Sequence, residues 1–154
     1  MNADKILVEV PLPEENHNCA NLFILCSDFR FHRGVAELER YLKISAADVI
    51  RVPGGLKDLV DDWSGVQEAI SSWIKLLCEK HGTKNVYLIA HLECAAYAEE
   101  GIRFIDPAED QEFHRRELAK ARRWIGDLVP TVKIITIVAR INRVRRKIEF
   151  VEVD

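Results

Sequence analysis

Leu22-Phe23-Ile24-Leu25-Cys26-Ser27-Asp28-Phe29-Arg30 decides how the chain is read. Four apolar residues run into a cysteine, with Asn21 before them and polar residues after, which is the pattern of a buried parallel strand. The loop that follows such a strand lies at the carboxyl edge of its sheet, where open α/β folds place their ligands. A thiol, a carboxylate and a guanidinium within five residues (Cys26, Asp28, Arg30) are poor core material and good site material.

The pattern recurs once. Val86-Tyr87-Leu88-Ile89-Ala90 is a second apolar strand, and it runs into His91-Leu92-Glu93-Cys94. In a tight loop or a first helical turn, His91 and Cys94 face the same way. If the two strands are neighbours, Cys26, His91 and Cys94 converge at one sheet edge. Two thiolates and an imidazole make a zinc set, and three protein ligands leave the fourth tetrahedral position for water or substrate.

Around these two stretches the chain alternates strand and helix. Residues 5–10 suggest a short strand ended by Pro11 and Pro13, and residues 14–19 a polar loop. Val35, Leu38, Tyr41 and Leu42 recur at helical spacing. Asp48-Val49-Ile50-Arg51-Val52 is a further strand, stopped by Pro53-Gly54-Gly55, whose glycines allow positive φ or a close backbone approach to a ligand. Ser64 with Gln67 resembles a capping box, opening a helix with apolar residues at Val66, Ile70, Trp73, Ile74 and Leu77 and a stop at Gly82. Trp63 and Trp73 are expected as core anchors. Residues 99–110 read as a loop and 111–128 as a helix, with Leu118, Ala121, Ile125 and Leu128 inward and Arg115, Arg116, Lys120, Arg122 and Arg123 solvated. Residues 132–139 form a β-branched strand, 140–146 a basic turn, and 147–153 a more polar, alternating edge strand. The order implies one α/β domain over residues 1–154: a three-layer, mainly parallel central sheet covered by helices on both faces.

Bulk properties exclude several classes. The 154 residues are enough for a core without disulfides, and 25 acidic against 22 basic side chains leave a formal charge of -3, so nucleic acid is not an expected partner. The basic turn lacks interleaved aromatics and reads as a solvated hairpin tip. No window approaches the roughly 20 apolar residues of a membrane span, and residues 1–5 show no secretory pattern. Four cysteines, two of them in the candidate site, suit a reducing cytoplasm. Cys19 and Cys78 read as a loop thiol and a packed helix thiol.

Cys26-x-Asp28-x-Arg30 followed by His91-x-x-Cys94 resembles the metal and catalytic motifs of the β-class carbonic anhydrases, and Arg51-Val52-Pro53-Gly54-Gly55 is similar to that family's Arg-Asn-Ala-Gly-Gly stretch. The resemblance covers residue 21 to the C-terminus. It implies sheet order 2-1-3-4 with a C-terminal antiparallel edge strand, and Zn2+ held by Cys26, His91 and Cys94. It implies reversible hydration of carbon dioxide to bicarbonate by zinc-bound hydroxide, a substrate pocket at Gly54 and Gly55, and a homodimer. Asp28 then accepts a hydrogen bond from the nucleophile, and Arg30 holds Asp28 ionised and turned away from the metal. Should that pair break, Asp28 becomes a fourth ligand that shuts the site. Because two thiolates weaken zinc as a Lewis acid, activity should rise on the alkaline side of neutrality. His32 is the nearest candidate proton shuttle.

The chain departs from the family at Ala90, Ala95 and Ala96, which replace glycines, and at Val52-Pro53, which replaces Asn-Ala. About twenty residues precede the first strand, where the family has long helices that embrace the partner. An intact metal set beside a reduced pocket keeps two alternatives open: a relative hydrolysing carbonyl sulfide or carbon disulfide, and a non-catalytic zinc-binding descendant. A thiol phosphatase or sulfurtransferase built on Cys26 is disfavoured. Its loop lacks a run of glycines to aim amides inward, and His91 and Cys94 would have no role.

Overall fold

The structure, a computed structural model, describes residues 7–11, 16–60 and 65–154. Five strands form one sheet in the order β2-β1-β3-β4-β5: β1 is Asn21–Cys26, β2 Asp48–Val52, β3 Asn85–His91, β4 Lys133–Asn142 and β5 Lys147–Glu152. The first four are mutually parallel, and β5 returns antiparallel along β4 from Ile137↔Glu152 to Asn142↔Lys147. This is the α/β sheet that the strand–helix alternation implies, with the expected antiparallel edge.

Alternation along the central strands explains the layers. Successive side chains of a strand point to opposite faces. Leu22 and Ile24 of β1, with Val86, Leu88 and Ala90 of β3, join one core with Ile70, Ile74, Leu118, Ala121 and Ile125. Those partners come from helices α3 (Val66–His81) and α5 (Pro107–Leu128). Phe23 and Leu25, with Tyr87 and Ile89, join the other core with Val35 and Leu38 of α1 (His32–Tyr41). Buried on both faces, β1 and β3 read as unbroken apolar runs.

Several boundaries differ from expectation. The last long helix starts at Pro107 rather than four residues later, because the Asp106 carboxylate accepts from the amides of Ala108 and Glu109 (2.8 and 2.9 Å) and proline suits the first helical position. Two short helices, α2 (Lys57–Val60) and α4 (Ala95–Glu99), lie in stretches the sequence left without an assignment, apart from Glu99, which falls in the expected 99–110 loop. Leu7, Val8 and Val10 belong to no strand and are 75 to 85 % exposed; residues 5 and 6 lie outside the described residues. Ser64 and Trp63 do as well. Helix α3 opens instead on Gly65, with no side-chain cap, while the Gln67 amide donates to the Leu59 carbonyl (2.6 Å). Trp73 is not a core anchor: it keeps 45 % of its surface exposed, because Ile70 and Ile74 take the centre of the buried stripe. No helix among the described residues is long and apolar enough to cross a membrane.

Candidate metal and catalytic site

Chain order and strand order together make a crevice. From β1 the chain moves outward to β2, then returns across β1 to place β3 on its other side. Connections leaving in opposite directions open a gap at the carboxyl ends of β1 and β3, the topological switch point where open sheets bind ligands. Cys26 is the last residue of β1 and His91 the last of β3, so the gap is lined by these two side chains.

Beyond His91 the chain turns sharply. The Leu92 amide donates to the Ala139 carbonyl (3.0 Å), Glu93 takes a left-handed conformation (φ 58°), and Cys94 becomes the N-cap of α4. The tight loop, rather than a helical turn, brings Cys94 back over His91. One ligand atom each from Cys26, His91 and Cys94 lies within 4.8 Å of the others, and the two sulfurs, 68 residues apart in sequence, are 4.0 Å apart.

The donor set fits a zinc ion. Two thiolates on one tetrahedral zinc, with Zn–S of about 2.3 Å, stand about 3.8 Å apart, close to the separation found. The His91 ring is oriented for the task. Its Nδ1 lies 2.9 Å from the Leu92 carbonyl, which only accepts, so Nδ1 carries the proton and Nε2 keeps its lone pair. That Nε2 is buried and has no hydrogen-bond partner among the described residues, a costly arrangement unless something binds it. Phe31 stacks at a tilt on the imidazole, ring centroids 4.6 Å apart, and fixes its plane.

The thiols are electrostatically distinct. Cys94 beside it, then His91, pulls the Cys26 thiol down to about 4 against the cost of burial. Cys26 in turn, and burial after it, push the Cys94 thiol up. These opposite shifts describe one proton shared by two sulfurs: the first ionisation of the pair is easy and the second hard. A cation at the pair reverses the second penalty.

Asp28 stands at the edge of this set and points elsewhere. It caps a 3-10 turn over Phe29–Phe31, with Oδ1 accepting from the Arg30 amide (3.0 Å). The Arg30 guanidinium then donates Nε to both oxygens (3.0 and 2.9 Å) and Nη2 to Oδ2 (2.6 Å). This fork holds the Asp28 carboxyl below its ordinary value and raises Arg30 above its own. The carboxylate is thus ionised and turned to Arg30.

A cavity of about 340 Å³ opens over the set, bounded by Asp28, Phe29, Pro53, Gly54, Ala95 and Ala96 beside the cysteines and the histidine. Gly54 lines it directly. Gly55 does not; a Cβ there would sit 2.8 Å from the Cys26 nitrogen, so Gly55 serves close packing of the turn on β1. His32 is exposed at the start of α1 and is not among the cavity's lining residues. Phe31 and the buried acid Asp110, whose Oδ2 accepts from the Glu93 amide (2.8 Å), belong to the site's surroundings and were not singled out by sequence. The position of Phe31 beside the Cys26 loop offered a weak signal for one; a helical position 16 residues beyond Cys94 offered none for the other.

Comparison with known proteins agrees with this geometry. Residues 16–151 match a family described as "Putative carbonic anhydrase". An uncharacterised protein of Rickettsia bellii is 29% identical, covering 96% of this chain and 95% of its own. A second, from Rickettsia conorii, is 26% identical over 95% of this chain and 83% of its own. Among solved structures, the β-carbonic anhydrase CcaA superposes with a TM-score of 0.56 at 14% identity, covering 90% of this chain and 79% of that one. The β-carbonic anhydrase isoform I of Trichomonas vaginalis gives 0.52 at 14% identity, covering 94% and 88%. At such identities the structural likeness speaks for the fold, while the family match spans most of the sequence. The structural likeness shows the β-carbonic anhydrase fold, and by the family match the chain belongs to the putative carbonic anhydrase family.

Proposed function

We propose that the protein is a zinc-dependent carbonic anhydrase that interconverts carbon dioxide and bicarbonate, acting as a homodimer in the cytoplasm. The observation that carries the reading is the convergence of Cys26, His91 and Cys94 at the switch point, with His91 Nε2 buried and unpaired. The four cysteines, all free, accord with a reducing compartment.

Cys26 Sγ, His91 Nε2 and Cys94 Sγ would hold the ion. Zinc in such a set supplies Lewis acidity that turns water into a nucleophile, at higher pH than zinc on three imidazoles because the thiolates cancel its charge. Asp28, kept ionised by Arg30, is an acceptor at the cavity edge: it holds a proton of the nucleophile on its carboxylate side and leaves a lone pair facing the substrate. Arg30 keeps that carboxylate from turning inward as a further ligand. Gly54, Ala95 and Ala96 leave room for a small, uncharged, linear molecule, and Pro53 and Phe29 give it apolar walls. Gly55 serves the pocket indirectly by seating the Pro53–Gly54 turn on the end of β1.

The test is stopped-flow hydration of carbon dioxide from neutral to alkaline pH on protein of measured zinc content. We expect turnover that climbs with pH and is lost on replacing Cys26, His91 or Asp28. A flat profile, or full zinc occupancy without turnover, would overturn it. Hydrolysis of carbonyl sulfide or carbon disulfide in place of hydration would move the same site to another substrate.

A further inference from the structure

Helix α5 buries three ionisable side chains that face inward at helical spacing: Asp110, His114 and Glu117, each at most 4 % exposed. Buried charge is expensive unless it is paired. Glu117 is partly accounted for by Lys120, whose Nζ donates to it at 2.7 Å. Asp110 is committed differently. Its Oδ2 accepts the backbone N–H of Glu93, the residue immediately before Cys94. Its Oδ1 lies 3.2 Å from His114 Nε2, a close contact at an angle off that of a straight hydrogen bond. Tyr97 and Phe113 stand edge-on to the His114 ring, with centroids 5.1 and 5.4 Å away, and fix it behind the carboxylate.

Glu93 is the residue that needs holding. Its φ of 58° is a conformation that side chains disfavour, and no glycine or asparagine occupies the position. Yet that conformation turns the chain between His91 and Cys94 within two residues. Its own side chain is occupied outward, where the carboxylate pairs with both Nη atoms of Arg143 at 2.6 Å. The backbone is therefore left to Asp110.

We propose that Asp110, backed by His114, is a positioning residue for the metal site: it fixes the left-handed Glu93 and so sets where Cys94 meets Cys26 and His91. This rests on the reading of those three residues as metal ligands. Outer partners of this kind orient ligands and are worth about 10- to 100-fold in metal affinity when removed.

The test compares wild type, Asp110→Ala and Asp110→Asn by zinc titration against a chromophoric chelator, with the absorption of the cobalt(II)-substituted proteins as a second readout. Asp110→Ala should bind zinc about 10- to 100-fold more weakly, with altered cobalt bands. Asp110→Asn should recover most of the affinity, because its amide oxygen accepts the same N–H. Wild-type affinity and spectrum in Asp110→Ala would overturn the inference, as would an Asn variant as weak as Ala. Wild type that binds neither metal would overturn the metal reading itself. Should Asp110→Ala fail to fold, amide exchange in zinc-loaded wild type decides. The Glu93 amide, on an exposed residue, should exchange slowly; immediate exchange would overturn the assignment.

Discussion

Replacing Gly55 by alanine measures how tightly the end of β1 is held. Gly55 has φ 63°, and a Cβ built there would lie 2.8 Å from the Cys26 nitrogen and 3.0 Å from the Leu25 carbonyl carbon, both main-chain atoms at the paired end of β1. The left-handed conformation costs a residue with a side chain about 1–2 kcal/mol, and forcing a methyl against a strand that cannot rotate away costs about 1–3 kcal/mol more. The sum, about 2–5 kcal/mol, is a large part of the 5–15 kcal/mol that typically holds a domain together. Gly82 supplies the control. It has φ 71° with nothing within 4 Å of its ideal Cβ, so Gly82→Ala should cost only the conformational part, about 1–2 kcal/mol. Urea unfolding of the two zinc-loaded variants should differ by about 1–3 kcal/mol at unchanged m. Because the atoms that must move belong to Leu25 and Cys26, zinc affinity should fall in Gly55→Ala and hold in Gly82→Ala. Equal unfolding midpoints and equal zinc affinities would refute the close approach as a determinant of the site.

Arg30→Ala should return the Asp28 carboxyl toward its ordinary value, since the guanidinium is the largest cause of its lowering. In sign, the native value lies below the unfolded one of about 3.9. The pair's stabilisation is therefore present above that pH and lost as pH falls through the native value; carboxylate titration followed by 13C NMR should show Asp28 moving upward in the variant, and an unmoved curve would contradict the pairing. Chelation should expose two thiols to iodoacetamide, Cys26 and Cys94, that the zinc-loaded protein protects; mass mapping that finds them equally alkylated with and without chelator would count against a shared metal. Asp106→Ala should lower stability by about 1 kcal/mol through the lost α5 cap, read as a lower midpoint of thermal unfolding, and an unchanged midpoint would show the cap to be dispensable.

The strongest signals in the sequence were local ones. The unbroken apolar runs of β1 and β3 survive inspection because strands buried on both faces have no polar side to show. The candidate metal-binding residues were legible because Cys26 and His91 each follow such a run directly and Cys94 lies three residues beyond His91. Signals failed where two patterns competed. Trp73 fits the period of α3, but its place off the stripe's centre leaves it half in solvent, and periodicity alone does not rank members of a stripe. Pro107 read as loop because proline usually breaks a helix; only the cap by Asp106 turns it into a first residue. Asp110, His114 and Glu117 were hidden by composition, since an acidic and basic stretch with few apolar residues reads as solvated.

By itself the sequence determined the strand–helix alternation, the residue types able to bind a metal, and the spacing of Asp28 and Arg30, because all of these depend on neighbours within a turn or a strand. Tertiary structure decided the rest. That β1 and β3 are adjacent, that Cys26 meets Cys94 across 68 residues, and that Asp110 reaches the Glu93 amide are matters of register between distant segments. Register is settled by burying both faces of the sheet at once, a condition on the whole chain that no window of it contains.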